Sequence, residues 1–97
     1  MATKAREALP GDTEVARSLG IVLYRRGGAD NFRRAAQLLD ESVSKGTEDG
    51  QAFYYLGMAR FQLKQRQECK TALERALALN IQPKLADDAK KILAQLN

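Results

Sequence analysis

The chain has 97 residues, a formal charge of +4, 44% hydrophobic and 29% charged residues, one cysteine and no histidine. That is enough chain for one domain with a single modest core. The lone cysteine excludes an intrachain disulfide, the missing histidine excludes His-based metal sites and His-dependent triads, and no apolar run approaches the roughly 20 residues of a membrane-spanning helix.

Apolar residues recur at helical spacing, and both prolines, Pro10 and Pro83, fall between periodic segments. No alternating run bounded by hairpin residues occurs, so the expected fold class is all-α. The first helix is predicted over Thr13 to Arg26, capped by Asp12, with Val15, Leu19, Val22 and Leu23 as its apolar stripe and Gly27-Gly28 as its end. The second is predicted over Asn31 to Ser44, capped by Asp30 and closed by Lys45-Gly46, with Ala35, Leu38, Leu39 and Val43 inward. The third runs from Gly50 to Leu63 behind Asp49 as cap, with Phe53, Leu56, Gly57 and Arg60 on its repeated face. The fourth covers Arg66 to Leu79 and buries Cys69, Ala72, Leu73, Ala76 and Leu77. After a turn at Asn80 to Gln82, Pro83 suits the first position of a last helix reaching Leu96. That helix sets Leu85, Ala89, Ile92, Leu93 and Leu96 against a polar side of Asp87, Asp88, Lys90, Lys91 and Gln95.

Two segments repeat. Ser18-Leu19-Gly20 and Tyr55-Leu56-Gly57 stand 37 residues apart, whereas Ala35 and Cys69, the small residues opening the next buried faces, stand 34 apart. An insertion of three residues in the turn around Gly27 to Asp30 reconciles the two spacings and leaves a period of 34. The second copy reads Phe53, Leu56-Gly57, Arg60, Cys69, Leu73, Ala76, and the first reads Ala16, Leu19-Gly20, Leu23, Ala35, Leu39, Ser42. Glycine and small residues at these places let paired helices approach closely, with Leu19, Leu56, Leu39 and Leu73 expected to fill the space between them.

This pattern resembles the tetratricopeptide repeat family over residues 13–83. It departs in having Ala16 and Arg60 where the family has aromatics, and in lacking proline after Ser42. The resemblance implies an α-solenoid of antiparallel helix pairs, with repeats at 13–46 and 47–82 and a capping helix at 83–97. Residues 3–9, just before Pro10, read either as the tail of a preceding repeat's second helix or as a leader. On the first reading the chain is the C-terminal piece of a longer array, and apolar residues such as Val15 or Leu23 would drive weak self-association.

The resemblance also implies a concave groove lined by the first helix of each repeat. Its members here would be Glu14, Arg17, Ile21, Tyr24 and Arg25, beside Gln51, Tyr54, Met58, Phe61 and Gln62. An aromatic and methionine stripe flanked by arginines suits peptide capture. Arg17 and Tyr54 are expected to be exposed, whereas Tyr24, Phe61 and Met58 also fit a core between repeats. Family members that grip acidic peptide C-termini use a Lys/Asn/Arg clamp; no asparagine stands at the matching places, so that specificity is not implied.

The expected function is therefore a scaffold binding a peptide or helix of a partner protein. The alternative is a structural segment that stacks on further repeats or on copies of itself. The positive excess lies wholly in residues 51–97, but its members are dispersed, which fits a solvated surface better than nucleic-acid binding. No phosphate loop or metal-ligand spacing occurs, Asp87 and Asp88 diverge on a helix, and Cys69 falls on a buried face. Neither an enzyme nor a cofactor is expected, and a single free thiol suits a cytoplasmic setting without excluding an export compartment.

Overall fold

The computed structural model describes residues 12–45 and 49–96. Among them the chain is all-helical: α1 (Asp12–Arg26), α2 (Ala29–Ser44), α3 (Gly50–Gln62), α4 (Arg66–Ala78) and α5 (Pro83–Leu96). The expectations for residues 3–9 and Gly46, and for the Asp12 side chain as a cap, lie outside the described residues.

Local chemistry sets the helix ends. Asp49 caps α3, its Oδ1 accepting from the backbone N–H of Gln51 at 3.0 Å and of Ala52 at 3.3 Å. Asp30 does not cap α2. Gly27 and Gly28, at φ +80° and +98°, turn the chain within two residues, and the Gly28 carbonyl already accepts from Phe32 N at 2.8 Å. The helix thus begins two residues ahead of the predicted Asn31, and Asp30 lies in its first turn, paired with Arg33. Asn31 Nδ2 instead donates to the Gly27 carbonyl at 2.7 Å, holding the turn.

Helix α3 ends without glycine. Lys64 takes φ +66°, its N–H reaching Phe61 O at 3.0 Å while Gln65 N reaches Arg60 O at 2.9 Å. These are the two bonds of a Schellman cap. Asn80 plays the left-handed part after α4, at φ +60°.

Short turns join α1 to α2 and α3 to α4, making two hairpins, and each closes on a glycine. A Cβ at Gly20 would stand 2.7 Å from Leu39 Cγ, and one at Gly57 would stand 2.7 Å from Leu73 Cγ. Leu39 and Leu73 are both fully buried, as are the small residues Ala35 and Cys69 and, within 1%, Ser42 and Ala76. The three-residue difference between Gly20–Leu39 and Gly57–Leu73 does not lie in the turn, where the spacing predicts it. The α1–α2 turn has two residues and the α3–α4 turn three, whereas α1 runs one residue further past its glycine and α2 starts three residues further ahead of its leucine, because the Gly27-Gly28 pair brings the chain into the helix early. Gly50 is a third close approach that its position at a helix start does not advertise: a Cβ there would meet Ile81 Cγ2 at 2.5 Å, so the start of α3 sits on the turn after α4.

Among the described helices α3 is central and packs on all four others, while α1 and α5 come together only through it. Accordingly Ala52, Tyr54, Tyr55, Leu56, Gly57 and Ala59 are all buried, which is burial around the whole helix rather than along one stripe. On one side α1, α3 and α5 are neighbours. On the other, α2 and α4 flank a cleft of about 320 Å³ whose lining includes Phe53 and Leu56 of α3 together with Val43 and Ala72.

One expectation fails in α1. Leu19, assigned to the space between paired helices, is 41% exposed, whereas its counterpart Leu56 is 5% exposed. Leu56 belongs to the central helix, with α2 packed beside it; no described helix precedes α1 in the same way. Leu23, which only the longer-array reading leaves exposed, packs against the core.

Candidate protein-interaction face

The side on which α1, α3 and α5 meet carries the residues singled out for the groove. Arg17 is anchored inside the protein. Its Nε pairs with Asp49 Oδ2 at 3.0 Å, one Nη lies 3.7 Å from Glu14, and the other donates to Gln51 at 3.4 Å; the side chain is 23% exposed. Asp49 therefore uses one oxygen to cap α3 and the other to tie α1 to it. Arg17 was expected to be open to a partner's carboxylate; the chain's own carboxylate already occupies it.

Tyr54 is likewise not exposed. At 5% exposure it is core, its hydroxyl donating to Asp88 of α5 at 3.4 Å. Burial, chiefly, and then the Asp88 charge push its phenol well above the ordinary range. Tyr24 packs rather than projects: its ring lies 5.6 Å from Phe32 and 5.6 Å edge-on from Tyr55, and Tyr55 is 5.0 Å edge-on from Tyr54. Burial raises the Tyr24 phenol as well, opposed by a hydrogen bond with Gln62. These four rings join α1, α2 and α3 beneath the face.

Arg25 remains exposed at the rim, donating to the Tyr55 hydroxyl at 3.1 Å with its guanidinium 5.9 Å from the ring centre. Glu14, Gln51 and Gln62 are exposed, while Ile21, Met58 and Phe61 are half-buried, each showing part of an apolar side chain. At the far end Phe61 and Gln62 join Lys64, Arg66, Gln95 and Leu96 around a cavity of about 310 Å³. Its described walls are apolar at Phe61 and Leu96, amide at Gln62 and Gln95 and basic at Lys64 and Arg66, with no carboxylate side chain among them. Arg66 also donates to the last α5 carbonyl, at Leu96, at 3.4 Å, a favourable place for a cation. Lys64, Arg66, Gln95 and Leu96 escape the sequence reading because the turn after α3 and the end of α5 come together only in the fold.

Cys69 is buried with no exposed surface, and burial pushes its thiol from 9.0 up to about 11. Such a thiol is protonated and inert near neutral pH. Among the described residues no cluster of His, Cys, Asp or Glu is placed to hold a metal ion, and no helix is long and apolar enough to cross a membrane. Comparison with protein-family models, curated proteins and solved structures finds no match for this chain.

Proposed function

We propose that this chain is a helical-repeat interaction module of tetratricopeptide type, whose α1–α3–α5 face binds a peptide or short helix of a partner protein. What supports this reading above all is the contact pattern: α3 packs between α1 and α5, so corresponding helices of successive repeats are neighbours. The matched pairs Gly20–Leu39 and Gly57–Leu73 support the solenoid reading in the same way.

The contacting set is narrower than the sequence suggests. Arg17, Tyr24 and Tyr54 are the frame. Ile21, Met58 and Phe61 offer the apolar surface, with Gln62 for backbone hydrogen bonds and Arg25 at the rim. The ligand this chemistry favours is a segment with an apolar side chain for Met58 and Phe61 and a nearby carboxylate for Lys64 or Arg66. Apolar anchors supply most of the affinity in such contacts, and rim charges set on-rate and salt dependence.

The test is to select peptides against the 97-residue chain from a random display library and titrate them into labelled protein by NMR. The expected shifts centre on Ile21, Met58, Phe61 and Gln62, and Met58→Lys weakens binding at least tenfold without unfolding the chain. Shifts confined to the α2–α4 side would refute the assignment.

A further inference from the structure

The exposed large apolar side chains of the described residues fall on one helix. Val15 is 65% exposed, Leu19 41% and Val22 48%, and their spacing of four and three residues puts them on one face of α1. The internal repeat gives this face a reference. Thirty-seven residues on, the same positions of α3 are Ala52, Leu56 and Ala59, which are at most 5% exposed. Helix α3 has α2 packed on it. Among the described residues, the surface that takes a helix on α3 is thus uncovered on α1, and it is more apolar there.

We infer that this face of α1 pairs with the same face of a second copy, the two α1 helices running antiparallel. The charge order along α1 selects this occupant. Exposed Glu14 stands at one end of the stripe, and exposed Arg25 and Arg26 stand at the other. Antiparallel pairing brings each acidic end to the partner's basic end and opposes the two helix dipoles; parallel pairing sets like charges together. Leu19, midway between Glu14 and Arg25, lies near the two-fold axis with Val15 and Val22 on either side. Three apolar side chains per copy fall short of the roughly 1,200–2,000 Å² buried in stable interfaces, so the pair is weak and forms at high concentration. This pairing uses Arg25, which also stands at the rim of the α1–α3–α5 face, but none of the apolar side chains Ile21, Met58 and Phe61 assigned to that face's ligand.

Sedimentation equilibrium of the whole chain, from about 20 µM to about 1 mM, tests it in the range where weak complexes populate. The expected result is a mass rising towards that of a dimer. Leu19→Glu holds the chain monomeric throughout while leaving its circular dichroism unchanged, and Gln37→Glu on exposed α2 surface dimerises like the parent. Glu14→Arg and Arg26→Glu each weaken the dimer at least threefold, and the two together in one chain restore it. A parent chain monomeric at the highest concentration, or a dimer indifferent to Leu19→Glu, would overturn the inference. A double charge swap as weak as the single changes would overturn the antiparallel arrangement.

Discussion

The contact between Gly57 and Leu73 decides whether the second hairpin closes, and Gly57→Ala probes it with one carbon. On an exposed helix surface this substitution would stabilise by about 1 kcal/mol, since alanine is the better helix former. Here the added Cβ would lie 2.6 Å from Leu73 Cδ2 and 2.7 Å from Cγ, with the Leu73 backbone nitrogen at 3.3 Å. Ordinary carbon contacts lie at about 3.5–4.0 Å, so the overlap is near 1 Å. Leu73 has no exposed surface into which to swing, so α4 must shift or the leucine must leave its rotamer. Overpacking of this kind costs about 1–3 kcal/mol. Subtracting the propensity gain leaves a net loss of about 1 kcal/mol, or about 4–8 °C in Tm for a domain of this size.

A double-mutant cycle isolates the contact. Leu73→Ala alone opens a cavity and costs about 2–5 kcal/mol. On that background Gly57→Ala loses both side-chain overlaps and keeps only the residue-73 backbone nitrogen at 3.3 Å, so it recovers its helix propensity and becomes stabilising by up to about 1 kcal/mol, a coupling of about 2 kcal/mol. Urea unfolding followed by circular dichroism measures all four corners. If Gly57→Ala raises stability in the parent chain, or acts equally in both backgrounds, the close-approach argument is wrong.

Leu56→Ala should cost about 2–5 kcal/mol, whereas Leu19→Ala at the corresponding position of the first repeat should cost less than about 1 kcal/mol, because Leu19 is already partly in water; parallel urea melts compare them. Lys64→Gly should stabilise by about 0.5–1 kcal/mol, since it removes a side chain from the left-handed conformation that ends α3, and a raised urea midpoint checks this. Cys69 is held neutral by burial, so the unfolded chain loses that proton first. Its contribution to stability should be intact below pH 9 and be lost as pH rises towards about 11. The raised phenols of Tyr24 and Tyr54 extend the fall to still higher pH, and Cys69→Ala should flatten its first part in Tm measured against pH.

What could be read from the sequence was what repeats locally. Helix periodicity, the Asp49 cap and the Pro83 start all follow from neighbours within one turn or one period, whereas the three extra residues of the first repeat, expected in its turn, lengthen α1 and α2 instead. The start of α2 was misplaced because Asp30 has the chemistry of a cap, while the glycine pair ahead of it already brings the backbone into the helix. The internal partners of Arg17 and Tyr54 are hidden from the sequence for a different reason. Asp88 lies 34 residues from Tyr54, and Asp49 lies 32 from Arg17, so helix register alone cannot show that these partners are internal. One signal for the burial of α3 is present: no charged residue occurs from Gly50 to Ala59, as suits a helix packed around most of its circumference. The contact of Gly50 with Ile81 had no such local mark.

The central structural claim is that both hairpins close by the same glycine-to-leucine approach. Methyl NOE spectroscopy on leucine-labelled protein reads it directly. The account predicts cross-peaks from the Gly20 α-protons to the Leu39 methyls and from the Gly57 α-protons to the Leu73 methyls, at comparable strength. Absence of either set, with that leucine contacting a different helix instead, would contradict it.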